Sequence, residues 1–108
     1  MICKGLGIEI FPMSVHYRVG ASVDFICSYK STEDLDIEFE KVYSRTVQMK
    51  VNGNVTEKYE GGGKGVYQVW LHPGLLAVKC SVRNKNRIVV GVVTALIYEQ
   101  QGLHFSKS

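Results

Sequence analysis

Residues 76–83 read Leu76-Ala77-Val78-Lys79-Cys80-Ser81-Val82-Arg83. Apolar and polar side chains alternate along this segment, and a period of two predicts a half-buried β-strand. The alternation assigns an inner face to Leu76, Val78, Cys80 and Val82, and an outer face to Lys79, Ser81 and Arg83. We therefore expect Val78 and Val82 to be buried, with Cys80 between them in a hydrophobic core.

A second cysteine occupies the same kind of position. In the segment Val23-Asp24-Phe25-Ile26-Cys27, the side chains of Val23, Phe25 and Cys27 share one face. Several predicted strands separate Cys27 from Cys80, as in the bridge that joins the two sheets of immunoglobulin-like domains. We predict a Cys27–Cys80 disulfide, and the alternative is two free thiols in the core of a cytosolic protein. Cys3 is left over, and the cysteine spacings match no CxxC zinc or redox motif.

Turn residues divide the rest of the sequence into short strands. Asn52-Gly53 predicts a hairpin between strands at residues 47–51 and 55–59. The N-terminal strand, residues 7–17, should break at Pro12 and lie at a sheet edge. Turns are predicted at His72-Pro73-Gly74 and Asn84-Lys85-Asn86.

Further strands are predicted at residues 35–42, 66–71 and 88–98, and the glycine-rich segment 61–65 is interpreted as a flexible connection. About seven short strands with no convincing helix indicate an all-β, immunoglobulin-like antiparallel β-sandwich.

Length and composition indicate one globular domain. The chain has 108 residues, of which 45% are hydrophobic and 21% charged, and it has no apolar run long enough for a transmembrane helix. The first four residues lack the features of a signal peptide, so we expect a piece of a longer protein. Residues 1–99 form the predicted domain. Residues 100–108 are interpreted as a linker or the start of a following repeat, because Gly102-Leu103 echoes Gly5-Leu6.

Motifs for catalysis and for nucleic-acid or cofactor binding are weak. The formal net charge is +3, and the basic residues near Lys85 are not interleaved with stacking aromatics, which argues against nucleic acid. The segment 61–65 lacks the order of a phosphate-binding loop. The carboxylates between Glu33 and Glu40 lack the spacing of a calcium-binding loop, and their alternation indicates the solvent-exposed face of a strand. His16, His72 and His104 are scattered, so we expect no enzyme activity, no metal and no cofactor.

Asn54-Val55-Thr56 is a sequon that predicts a glycan on Asn54.

The C-terminal half resembles a known family. The segment from His72-Pro73-Gly74 to Asn84 is similar to the PxxxPGxYxVxVxVxN stretch of PKD domains, and residues 19–25 match the family's VGxxVxF strand. PKD domains are the immunoglobulin-like repeats of polycystin-1 and related surface proteins, and the likeness covers residues 5–99. The family's WDFGDG motif is absent, and Phe39 takes the place of its aromatic anchor. A bridge between cysteines would also be unusual for the family.

This resemblance implies an extracellular structural or binding module of a polycystin-1-like membrane receptor, with roles in ciliary sensing, adhesion or force bearing. Its expected partners are neighbouring repeats of the same chain or an extracellular protein ligand. We expect a monomer in isolation that touches neither nucleic acid nor membrane. The alternatives are a secreted or cell-surface immunoglobulin-like ligand or immune modulator, and an intracellular β-sandwich with reduced cysteines.

Overall fold

Two β-sheets face each other in the computed structural model, which describes residues 7–44, 48–51 and 56–99. The described residues form nine strands: β1 (Gly7–Phe11), β2 (Ser14–His16), β3 (Ser22–Lys30), β4 (Asp36–Val42), β5 (Gln48–Lys50), β6 (Thr56–Tyr59), β7 (Gly62–Trp70), β8 (Ala77–Arg83) and β9 (Val89–Tyr98). The sheet orders are β1-β3-β7-β6 and β2-β9-β8-β4-β5. In immunoglobulin lettering these are A-B-E-D and A′-G-F-C-C′, so the predicted immunoglobulin-like sandwich is confirmed.

The N-terminal strand breaks at Pro12, as its sequence predicts, and the structure adds that its two halves join different sheets. β1 pairs antiparallel with β3, whereas β2 pairs parallel with β9 in the opposite sheet. The Phe11–Pro12 peptide bond between them is cis. β1 and β2 are both edge strands, where a residue without an N–H is tolerated. The β2–β9 pair is also the exception to the antiparallel pairing that we expected throughout.

The predicted disulfide lies in the centre of the core. Cys27 of β3 and Cys80 of β8 are bonded, with their Cα atoms 6.5 Å apart and both residues fully buried. Phe39 of β4 lies opposite Cys80 in the ladder and is also fully buried, so it occupies the place of the aromatic core anchor. Val78 and Val82 are buried on the same inner face, which confirms the facing of the strand that carries Cys80.

The N-terminal end of that strand differs from the prediction. Leu76 precedes β8 and is exposed, and Leu75 fills the core in its place. Ser81 is buried although it is on the outer face, because Glu38 and Val92 lie on either side of it in the ladders and their longer side chains cover it. Period-two alternation therefore assigns the faces correctly inside the strand, but it misplaces Leu76 and the burial of Ser81.

The interpretation of residues 61–65 as a flexible connection is wrong. Residues 62–65 begin β7 and pair with both β3 and β6. A Cβ on Gly62 would lie 2.2 Å from the carbonyl oxygen of Tyr29, and one on Gly63 would lie 2.7 Å from its hydroxyl oxygen. Gly63 is required because the buried ring of Tyr29 occupies the space that a side chain would need, and Gly62 is required because the backbone of Tyr29 approaches it closely.

The predicted hairpin around Asn52-Gly53 is also wrong. β5 pairs with β4 in one sheet, and β6 pairs with β7 in the other. Both segments are short strands, as predicted, but the chain crosses between the sheets instead of turning back on itself. Residues 52–55 themselves lie outside the described part of the chain.

The other two predicted turns are confirmed. Gly74 has φ +94°, and the N–H of Leu75 donates to the carbonyl of His72 (3.3 Å). Asn84 starts the turn between β8 and β9. The parts of the chain that the structure describes include no helix that could span a membrane.

Candidate interaction surface at the loop end

Three connections meet at one end of the sandwich: residues 31–35 between β3 and β4, residues 60–61 between β6 and β7, and residues 84–88 between β8 and β9. We call these residues the loop end. The N–H of Ser31 donates to the carbonyl of Gly61 (2.9 Å), which joins the first connection to the second. In immunoglobulin-like folds, loops held on a rigid sandwich are the usual place for contacts with partners.

Tyr29 supports the loop end from below. Its ring is buried between the sheets, and its hydroxyl donates a hydrogen bond to the carbonyl oxygen of Leu35 (3.1 Å). Burial raises the pKa of Tyr29, because the phenolate would lose its solvation in the core. The residue therefore stays neutral and fixes where the chain enters β4.

Lys58 connects the two sheets at the same end. Its ammonium group on β6 pairs with the carboxylate of Asp34 in the first connection and lies 3.3 Å from Oδ1 of Asp36 at the start of β4. The hydrogen bond with Lys58 lowers the pKa of Asp34, and the same bond raises the pKa of Lys58. These groups are solvated, so the contact positions the loop more than it stabilises the fold.

The turn at residues 84–88 is ordered by its own side chains. Oδ1 of Asn84 accepts hydrogen bonds from the N–H groups of Asn86 (2.9 Å) and Ile88 (3.1 Å). A guanidinium N–H of Arg83 donates to the carbonyl of Arg87 (2.8 Å), whose φ of 66° is in the left-handed region. Asn84 thus acts as an Asx-type cap of the turn, which leaves the side chains of Lys85 and Arg87 exposed.

Two shallow hollows lie between these connections. One, of about 380 Å³, is lined by Tyr59 and Glu60 together with Lys58 and the first connection. The other, of about 500 Å³, lies between residues 32–34 and residues 84–86. Charges of both signs and amide groups line them, which suits polar contacts with a protein surface. Within residues 7–44, 48–51 and 56–99, no three His, Cys, Asp or Glu side chains lie close enough to hold a metal ion.

The outer face of the five-stranded sheet carries a ladder of ion pairs. Arg83 donates through Nε to Oε1 of Glu38 (3.1 Å), and Nζ of Lys50 lies 3.4 Å from the other carboxylate oxygen of Glu38. Burial raises the pKa of Glu38, but the hydrogen bonds with Arg83 and Lys50 outweigh it and leave the pKa below its ordinary value. Lys79 and Glu40 form a further pair at 3.1 Å, in which the carboxylate oxygen is buried and has no well-aligned hydrogen bond.

The structure brings some of the predicted residues together and separates others. Cys27 and Cys80 are joined, while the sequon residue Asn54, Cys3, His104 and the segment 100–108 lie outside the described residues. His16 packs against Tyr98, and His72 stacks on Tyr43 in a separate pair.

The sequence patterns gave no sign of the role of Lys58. No local pattern could have found it, because Lys58 and Asp34 are 24 residues apart and meet only when the two sheets pack. The chain matches no protein-family model, and no curated protein is similar enough to count as a relative.

Proposed function

We propose that this domain is an extracellular, non-enzymatic binding module of a larger cell-surface protein, of the polycystin-1-like membrane receptor class. The observation that carries the extracellular part of the proposal is the disulfide between Cys27 and Cys80 at the centre of the sandwich, while the receptor class rests on the likeness of residues 72–84 to PKD domains. Small domains with a structural disulfide belong to oxidising compartments, since cytosolic thiols are kept reduced. Neighbouring repeats or an extracellular protein ligand are the partners that this role requires.

The loop end is the surface that we assign to such contacts. Its connections are held by Tyr29, Lys58 and Asn84, so a partner would meet a preorganised surface and little ordering entropy would be lost. Its side chains include carboxylates, amines and amides, which give specificity in polar protein contacts. In this role the sandwich carries the loops and resists extension, and adhesion or force bearing in a ciliary or other surface receptor would use both properties.

A secreted or cell-surface immunoglobulin-like ligand or immune modulator is the second candidate. The bridge between the B and F strands favours it, because that bridge is typical of antibody-type domains and unusual among PKD repeats. The two candidates differ in context: a repeat works within an array, whereas a ligand acts alone on a receptor.

Fluorescent tetramers of the domain, applied to cultured cells, test the proposed surface. Lys85→Glu at the loop end should reduce cell-surface binding strongly, whereas Arg18→Glu, the same charge change at an exposed site at the opposite end, should leave it unchanged. Equal losses would mean that binding follows net charge and would refute the loop-end assignment.

The compartment is tested by denaturing the domain secreted from animal cells and alkylating it before and after reduction, because both cysteines are fully buried in the folded state. Cys27 and Cys80 should react only after reduction. Free, reactive thiols at both positions in the secreted protein would support the intracellular sandwich instead.

A further inference from the structure

One side of β9 has no strand beside it over most of its length. β2 pairs only with Leu96, Ile97 and Tyr98, so among the described residues nothing pairs with that side of β9 from residue 89 to 95. On this side of β9, the N–H of Leu96 donates to the carbonyl oxygen of Met13. On the opposite side, the N–H of Ile97 donates to the carbonyl oxygen of Leu76. Backbone groups alternate along a strand, so Val92 and Thr94 point their N–H and C=O groups to the open side. The edge therefore offers two donors and two acceptors.

The open edge borders an apolar groove. The groove has a volume of about 470 Å³ and is lined by Ile8, Ile10 and Phe11 of β1, by Met13, and by Val93 and Thr94 of β9. It exists because the chain leaves one sheet at Pro12 and joins the other only at Ser14, so the sandwich is open at its side. Phe11 and Met13 are 70% and 72% exposed at this opening. Large apolar side chains this exposed beside unpaired backbone are typical of an interaction site.

This edge also lacks the usual protection against strand pairing. Edge strands in soluble proteins normally carry lysines, prolines or inward-pointing charges. The segment from Val89 to Tyr98 has no charged residue and no proline, and Val90, Val92 and Leu96 are exposed on it. A bulge opposite Val82 and Arg83 disturbs the ladder at the start of β9, but it leaves Val92 and Thr94 in regular register.

We propose that the open edge of β9 takes an additional β-strand from another protein. The occupant is an extended segment whose apolar side chains enter the groove at alternate positions. Recognition by strand addition combines backbone hydrogen bonds with pockets for every second side chain, and this edge and groove provide both. The backbone edge and the groove lie outside the loop end, although the turn at residues 84–88 borders that edge, and the proposal does not depend on the extracellular role.

Charge identifies the chemistry at one end of that segment. Lys85 and Arg87 are exposed in the turn immediately before β9, at the end of the edge remote from β2. Glu9 is the acidic residue that lines the groove farther along. The occupant therefore carries acidic residues where it passes the turn and uncharged residues beside Val92 and Thr94.

The β9 strand of a second copy does not fit when it is centred on Val92. Antiparallel pairing of two β9 strands about Val92 would place Arg87 of each copy beside Ile97 of the other. β2 already pairs with Ile97, so the incoming turn would collide with it. The occupant is thus a free extended segment and not the same strand of another molecule.

Synthetic peptides containing Val-Thr-Val-Thr-Val test the proposal, with Asp-Glu placed before the segment in one and after it in the other. One of the two should bind the folded domain, and it should shift the backbone amide resonances of Val92 and Thr94. A version of the bound peptide that is N-methylated along its pairing edge should not bind, because it cannot complete the ladder.

Two variants and a matched control distinguish pairing at the strand edge from non-specific hydrophobic binding. Val92→Lys should weaken binding about tenfold or more, since a charge on the edge opposes strand addition. Val66→Lys is the control, because Val66 and Val92 are both 47% exposed but Val66 lies inside the other sheet. Val92→Pro removes the N–H that points to the open side and keeps the ladder with β8, so it should also bind weakly with little change in melting temperature.

Several results would overturn the proposal. They are failure of both peptides to bind, equal losses with Val92→Lys and Val66→Lys, or resonance shifts confined to the loop end. Concentration-dependent dimerisation of the free domain that Val92→Lys abolishes would identify a second copy as the occupant and would also overturn it.

Discussion

Tyr29 lies directly against Gly63 across the β3–β7 ladder, so close that a Cβ on Gly63 would sit 2.7 Å from the tyrosine hydroxyl oxygen and 2.8 Å from the ring. The ring cannot move away easily, because it is buried and its hydroxyl is bonded to the carbonyl of Leu35. The glycine and the tyrosine thus form one packing unit that carries the loop end.

Gly63→Ala should therefore destabilise the domain by about 1 to 3 kcal/mol, the usual range for forcing an extra carbon into a packed core. Urea unfolding followed by fluorescence measures the change. Gly7→Ala is the control: its Cβ would meet Lys30 at an ordinary distance of 3.7 Å, so the same substitution in another strand should have little effect. Similar stabilities for the two variants would contradict the packing of Tyr29.

Replacing both bridged cysteines by alanine should lower the free energy of unfolding by about 2 to 5 kcal/mol. The bridge closes a loop across 53 residues, so its loss restores considerable freedom to the unfolded chain, and it also leaves a void in a fully buried site. Urea titrations of the oxidised wild type and the double variant give the difference. A double variant as stable as the wild type would remove the main support for an oxidising environment.

Val78→Asp should unfold the domain or destabilise it by about 4 kcal/mol, because the carboxylate would be buried in the core without a partner. Val66→Asp places the same group at an exposed position and should have only a small effect. Lys79, which the alternation assigns simply to the outer face, would be a poor control because it pairs with Glu40 and an aspartate there would face a carboxylate. Thermal melts of the two valine variants test this expectation. Equal melting temperatures would mean that the side chain of Val78 does not face the core.

Acid should weaken the domain partly through Glu38. Its pKa is lower in the folded chain than in the unfolded chain, so its stabilising contribution is complete above the unfolded pKa, about 4.3, and is lost as the pH falls through the folded pKa. The urea concentration at the unfolding midpoint of the wild type should decrease as the pH is lowered below about 4. In Glu38→Gln this decrease should be smaller. Glu57→Gln, the same change at an exposed position on β6, should keep the wild-type pH dependence. If Glu38→Gln also keeps it, the ladder with Arg83 and Lys50 contributes nothing to folding.

The sequence by itself determined which side chains face the core in the middle of the two strands that carry the cysteines. Alternation around Cys27 and Cys80 is a local property of the backbone, since neighbouring residues of a strand point to opposite sides, and it was sufficient to predict the bridge and the burial of Val78. Pro12 and Gly74 act locally too, one by lacking an N–H and the other by adopting a positive φ, so the break and the turn were predictable.

Only the tertiary structure decided which strands are neighbours. Alternation does not specify the partner of a strand, so Asn52-Gly53 predicted a hairpin where the chain passes from one sheet to the other. The glycines at 62 and 63 read as a flexible loop because the reason for them, Tyr29, is more than 30 residues away. The pairing of Lys58 with Asp34 and the open edge of β9 have the same origin: both depend on where the two sheets meet, and no local sequence pattern specifies that.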